Sequence, residues 1–538
     1  MSGDTALAPD RAWLQRVTLS SSDGEGRVLL STTEGPVLRV PSAVGTVLAE
    51  IQRAPDESLG ELSGRLEVSE ANLRTTLVTI GGIPAIAGAP ARLRRLQVRP
   101  PATVQLTLFD PSRLVAADGR VARALRARST WTVVAAANGF GALAVAMLFA
   151  DTDGPLYSRL SVGGYAWLLV GLLVSMFVHE LSHAAVLIAH GGKTHRLGFM
   201  FFYLAPAFFC DVRDSWSIER HARVRVALAG VMSQGVLAAC AALASFALDG
   251  DPSVVLAVLA LFNILYWVFN LIPFVKLDGY VALAGYLDRP HLRDRSIAAF
   301  REWLAAVLYG RRRPAASRSL GPGGLLFGAA CVVFPLVLVV GAIGAIGMYL
   351  SSLGAVALWA EIALGATVLA WLAVRSWAHV RAVWRSEVRR PRALAVWSVA
   401  AVALVAVLTL VQIPRHVSGG VFAQPGRITV GVLAHDVPQA SDGLAATIRR
   451  TGVVSGPRLA DATTLGPTSP CEIPLAAVVP VEGTDLTIDG LCVDTVPSDT
   501  LRGALAGTPT GSATAVLDLP AQTVVERVVD IWEGAFSS

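Results

Sequence analysis

Charge is scarce in this 538-residue chain: 16% of its residues are Asp, Glu, Lys or Arg, against roughly 25% in a soluble globular protein. With 53% hydrophobic residues and a mean hydropathy of +0.56, that scarcity argues for several membrane spans. The net charge is only +5, and no basic stripe of a nucleic-acid-binding kind is present. Cysteine is sparse as well: Cys210, Cys240, Cys331, Cys471 and Cys492 contain no CxxC pair and no zinc-finger spacing. The opening MSGDTALAPDRAWLQRV lacks a basic stretch followed by an apolar run. No cleavable signal peptide is therefore expected, and the first residues are expected to stay in the cytoplasm.

What is present divides into three parts. Residues 1–128 have mixed composition. GRVLLSTTEGPVLRVPSAVGTVLAEI reads as two short strands with a turn at Gly35-Pro36, then a helix. Beyond it, Leu59, Leu62 and Leu66, then Leu73, Leu77 and Ile80, recur at helical spacing. Ser58, with Glu61 three residues on, and Ser69 are expected helix caps. The order of elements resembles the winged-helix peptide-recognition domains of ribosomal-peptide modifying enzymes; a generic small domain capping the membrane part is the plainer reading.

Residues 129–413 hold apolar runs of bilayer-crossing length near 131–150, 163–190, 223–248, 254–275, 323–347, 355–376 and 393–413. Loop charge orients them. Arginines cluster before the first run (Arg113, Arg120, Arg123, Arg126, Arg128), within 276–322, and near 377–392. The loops near 151–162 and 249–253 carry Asp151, Asp153, Asp249 and Asp251 with only Arg159 as counter-charge. Seven spans put every basic segment on one side. The expected fold is a polytopic α-helical membrane protein of about seven spans in the cell membrane, with a small N-terminal α+β winged-helix-like domain in the cytoplasm. Residues 414–538 then form an extracytoplasmic, β-rich α/β domain, with RITVGVLA, LAAVVPV and ATAVLDL expected as strands. Cys471 and Cys492 are its only cysteines. An oxidising exterior would pair them; two buried free thiols is the other reading.

The chemistry concentrates in MFVHELSHAAVLIAH. His179 and His183 stand at i and i+4, one turn apart on one helix face, so both imidazoles can reach one zinc ion. Glu180 lies beside the first of them, placed to take a proton from a zinc-activated water. Ionisable residues inside an apolar span are costly and persist where they have partners or function. At the end of the fourth run comes NLIPFVKLDGY. Asp278 can supply a third ligand, leaving a position open as catalytic sites do. Pro273 and Gly279 predict a broken helix there, tolerable beside protein or water.

HELSH at 179–183 and NLIPFVKLDG at 270–279 resemble the site-2 protease family of intramembrane metalloproteases. The resemblance covers about a quarter of the chain. It implies His179, His183 and Asp278 as Zn2+ ligands, Glu180 as catalytic base, and Asn270 in positioning substrate. Residues 199–216, FMFFYLAPAFFCDVRDSW, suit a re-entrant hairpin or an edge strand that takes up an extended substrate. The CDVRDSW portion is similar to a stretch in peptide-processing members of the family, which accompany clusters making ribosomal peptides, as in daptide biosynthesis. Cys210, Asp211 and Asp214 there would touch metal or substrate, or, more ordinarily, fix the loop.

His190 and His195 fall at the cytoplasmic end of the zinc helix, where solvation explains them. Gly191-Gly192-Lys193-Thr194 resembles half a phosphate loop, but Leu187 stands where the first glycine should, so nucleotide binding is rejected. The Arg311–Arg313 run reads as a topology determinant near anionic lipid. The expected function is hydrolysis of a peptide bond in a membrane-associated peptide, maturing or removing the leader of a ribosomally made peptide. Regulated intramembrane proteolysis of a membrane-bound regulator is one alternative, and a noncatalytic export or immunity component another. The partners are a peptide or membrane-protein substrate and the lipid bilayer, with no nucleic acid and no nucleotide.

Overall fold

The computed structural model describes residues 13–537 apart from 20–26, 33–34, 55–56, 82, 84–85, 87–95, 100–102, 114–118, 153, 195, 203–204, 311–319, 351–354, 385–389, 425–426, 434–442, 455, 480, 483–485 and 497–512. Along the chain come strands Thr18–Leu19 (β1), Arg27–Thr32 (β2) and Gly35–Pro41 (β3), then helices Ser42–Arg53 (α1), Leu59–Leu66 (α2) and Glu70–Gly81 (α3). Strands Leu96–Arg99 (β4) and Thr103–Phe109 (β5) lead to helices Arg120–Arg126 (α4) and Arg128–Ala150 (α5). The next elements are Leu160–Ser161 (β6), Val162–Ala189 (α6), Leu197–Phe202 (β7), Ala205–Cys210 (β8), Arg220–Phe246 (α7), Gly250–Leu271 (α8), Asp278–Tyr286 (α9) and Leu292–Tyr309 (α10). Three further long helices follow, Gly321–Leu350 (α11), Ala355–Trp384 (α12) and Arg390–Leu410 (α13).

Two units emerge, the first made of residues 1–136, 173–234 and 281–289. Within it β1, β2 and β3 form an antiparallel sheet in that order. Leu62, Leu73, Leu77 and Ile80 bury their side chains with Leu30, Leu48, Ile51 and Trp13, the helical spacing having put them on one face. Ser58 and Glu61 form a reciprocal capping box, and Ser69 Oγ accepts from Asn72 N. The expected turn at Gly35-Pro36 is corrected: both residues already belong to β3, paired with Thr32 and Ser31. A strand's first residues tolerate proline because no ladder donor is lost there. A second sheet runs β4-β5-β7-β8, all antiparallel. The 199–216 stretch thus contains a hairpin whose second strand, β8, is a sheet edge.

The second unit holds residues 137–172, 235–280 and 290–538. Its tail contains Gln412–Gln424 (β9), Arg427–Val432 (β10), Ala445–Arg450 (β11), Arg458–Pro474 (β12), the one-turn helix Leu475–Val478 (α14), Val481–Glu482 (β13), Thr487–Thr495 (β14), Ala513–Thr523 (β15) and Val524–Ser537 (α15). Six of these strands close into a barrel in the order β10-β14-β12-β11-β15-β9. Val430, Ile448, Val493, Ala515 and Leu517 fill its interior. RITVGVLA and ATAVLDL contribute β10 and β15, but LAAVVPV is not one strand: Leu475–Val478 is helical, capped by Val479 N–H donating to Leu475 O. Ala477 is fully buried there and packs on Gly420 of β9, contacts a continuing strand would forgo. Cys471 and Cys492 are joined by a disulfide across β12 and β14.

The barrel is fastened to the segment that precedes α6. Val453 N–H donates to Ser158 O and Val454 N–H to Leu156 O, both at 3.1 Å, and β13 pairs in parallel with β6. Asp251, in the first turn of α8, accepts from the backbone and hydroxyl of Ser161. At the other end, α11 and α13 both begin beside α10. Gly328 presses on the Ser296 carbonyl, Arg392 donates to Val307 O and Leu308 O, and Trp397 Nε1 donates to the Tyr309 hydroxyl. Six helices among the described residues are long and apolar enough to cross a membrane: α5, α6, α7, α8, the first 22 residues of α11, and α13. A helix also stands at the seventh expected place, α12, but it is not among those six.

Candidate metal centre

Helix α6 carries His179 and His183 on one face, and both are buried. Their Nε2 atoms stand 3.1 Å apart. His183 Nδ1 lies 2.7 Å from Val226 O. A carbonyl only accepts, so Nδ1 carries the proton, and in the neutral imidazole Nε2, facing His179, is the nitrogen with the lone pair. Gly230 of α7 lets the rings sit where they do. A Cβ there would stand 2.5 Å from His183 Nε2 and 2.6 Å from His179 Nε2, so no other residue fits without displacing both. Glu180 is half-buried on the same helix.

The other half of the constellation follows α8. That helix ends at Leu271, two residues before Pro273, and the chain runs without helix to Asp278, which opens α9. Arg293 Nε donates to the Phe274 carbonyl at 3.1 Å, satisfying one backbone group the break sets free. Gly279 lies against the carbonyls of Asn270 and Leu271, too close for a side chain. Asn270 is buried, and its Nδ2 donates to Tyr266 O at 3.0 Å.

One ligand atom from each of His179, His183 and Asp278 lies within 4.8 Å of the others. The imidazole spacing fits a shared zinc: two nitrogens each about 2.0–2.1 Å from a tetrahedral ion stand about 3.3 Å apart. Two nitrogens and one carboxylate oxygen are also a donor set that zinc accepts, with a position to spare.

The loop residues divide clearly. Asp211 is paired with Arg213 at 2.5 Å, and Asp214 accepts from Lys193 N–H at 2.7 Å; both fix the loop. Burial raises the Asp211 pKa, but the hydrogen bonds and charge of Arg213 outweigh it and hold the carboxyl below its ordinary value. Cys210 meets Thr194 Oγ1 at 3.6 Å. Burial first, then the charges of Glu180 and Asp211, push its thiol up to about 12, so it stays protonated. His190 Nδ1 lies 2.9 Å from Val186 O, one turn back on its helix. The Gly191-Gly192 pair closes α6: Gly191 takes φ +84°, and the amides of Gly191 and Gly192 return to Ile188 O and Leu187 O. That helix end explains the half phosphate loop. His195 and Arg311–Arg313 lie outside the described residues.

Two residues escaped sequence reasoning. Gly230 sits in an apolar helix with no motif around it. Val226 acts through its backbone carbonyl, which no side-chain pattern reveals.

The chain is 26% identical over 159 residues, 28% of its length, to the Bacillus subtilis protein named "Putative peptide zinc metalloprotease protein YydH", covering 61% of that protein. It is 32% identical over 145 residues, 24% of its length, to the Mycobacterium tuberculosis protein named "Putative zinc metalloprotease Rip3", covering 36% of it. The matched stretch therefore spans less than two thirds of either relative. No family model and no solved structure matches the chain. These likenesses support a zinc metalloprotease role at a coarse level.

Proposed function

We propose that this protein is an intramembrane zinc metalloprotease that hydrolyses a peptide bond in a membrane-associated peptide. The observation that carries the reading is the convergence of His179, His183 and Asp278 within 4.8 Å. These three residues hold the zinc, which when bound supplies the Lewis acidity that amide hydrolysis requires. Glu180 accepts a proton from the attacking water and delivers it to the leaving amine. A helical substrate must first unwind, because its hydrogen bonds shield the carbonyls. Strand β8, outermost in its sheet among the described residues, offers its edge to the extended segment, and Asn270 helps to hold it.

The substrate we favour is a ribosomally synthesised peptide whose leader is removed. The Bacillus relative is named a peptide metalloprotease, and a front domain of three strands followed by three helices suits peptide recognition.

The same reading has seven crossings, with the N-terminus cytoplasmic and the barrel outside. α11 and α13 both start beside α10, while α13 leads into a barrel bonded to the segment before α6. If α11 and α13 run outward, α12 must run back between them. The exposed Trp371, Trp377 and Trp384 stack with Arg375, Arg381 and Arg390 toward its far end, the belt expected at an inner interface.

The test is Glu180→Gln in producing cells. Zinc content is expected to match wild type, while peptide N-termini generated by the wild-type protein, read by mass spectrometry, disappear. An identical set of termini in both strains would overturn the proposal.

A further inference from the structure

The C-terminal helix α15 starts at a defined height. β15 pairs with β9 down to Gln522↔Ile413 and Thr523↔Gln412, the latter two residues past the end of the α13 span at Leu410. Thr523 and Glu526 cap each other reciprocally, so the helix begins at that register and nowhere else. Its first turn therefore lies where α13 leaves the membrane.

From there the helix presents two unlike faces. Asp530 points back to the barrel, accepting from Gln522 Nε2 at 2.5 Å and pairing with Arg415 of β9 at 3.5 Å. Val525, Val528, Val529 and Trp532 recur at i, i+3, i+4 and i+7 on another face, and all four are exposed, Val528 by 60% and Trp532 by 56%. The helix also packs on α12 and α13. Leu410 at the end of α13 is 75% exposed and Val411 just after it is exposed as well, and Gln412, the next residue, pairs with Thr523 at the foot of α15.

We propose that α15 is an interfacial helix that seats its Val525–Val528–Val529–Trp532 stripe in the outer headgroup layer of the bilayer and so fixes the barrel's height above the membrane. The occupant is lipid and not a peptide because the stripe starts beside the end of a membrane-spanning helix whose last residues are themselves apolar and exposed. Glu526, Asp530 and Glu533 outnumber Arg527, so attachment depends on apolar burial and not on attraction to anionic headgroups. Tryptophan at the stripe's far end matches the preference of indole for this layer. The inference depends on α13 as a span and stands apart from the zinc chemistry.

The test reconstitutes the full chain in phosphatidylcholine vesicles with the photoreactive residue p-benzoylphenylalanine at position 528, 532 or 526. Lipid adducts are expected at 528 and 532 and not at 526. Brominated phosphatidylcholine provides a second readout: part of the quenching it causes in the wild-type protein is expected to vanish in Trp532→Phe. Crosslinks from 528 and 532 to protein alone, whether this chain or a second copy, would overturn the proposal, as would absence of any adduct or equal quenching in Trp532→Phe.

Discussion

At Gly230 the absence of a side chain is what admits two imidazoles to one spot. Alanine is the better helix former, so Gly230→Ala leaves α7 helical and even favours it locally. Its methyl group nonetheless displaces both rings. We predict a loss of about 10–100-fold in zinc affinity, the range seen when groups orienting metal ligands are changed. Competition titration against a chelator measures it, with circular dichroism confirming an intact helix; unchanged affinity would mean that the rings have room to spare. The pairing of the two imidazoles was legible, because HExxH sets them one turn apart by helix geometry alone. What sequence could not supply was their orientation. The Val226 carbonyl that directs the His183 tautomer lies 43 residues away and is a backbone atom.

Among the elements, local signals carried furthest. Ser58 with Glu61 marked the start of α2, and the leucine spacing marked its buried face, because both are decided within a turn or two of chain. Strand β5 was missed because its place in the sheet rests on pairing with Leu197–Phe202, as in Leu106 opposite Phe199, far along the sequence, and β4 then joins by pairing with β5. LAAVVPV misled for a related reason: β-branched residues favour a strand in isolation, while the burial of Ala477 against the barrel decides for a helical turn. The disulfide closes a 21-residue loop in the barrel, worth about 3 kcal/mol through loop entropy. Replacing Cys471 and Cys492 together with serine is expected to lower barrel stability by about that amount, seen as faster limited proteolysis of the tail in the absence of reductant. Equal proteolysis rates would show the two thiols unpaired in the native protein.

For the whole molecule, the number of crossings decides which compartment holds the barrel. Hydropathy finds six of the long helices and leaves α12 aside, yet an even count would put the barrel on the side of the arginine-rich segments. The bonds from Val453 and Val454 to the acidic segment before α6 favour the odd count. Alkaline phosphatase fused at the C-terminus is expected to be active, and a fluorescent protein fused there dark. The reverse pattern would remove α12 from the spans and return the barrel to the cytoplasm.

In the proposed site two separate stretches of chain hold one zinc ion. Metal analysis of the purified full-length protein tests it most directly. Wild type and Glu180→Gln are predicted to carry equal, stoichiometric zinc, and the double variant His183→Ala/Asp278→Ala to carry none. A full complement of zinc in the double variant would mean that the ion is held elsewhere in the chain.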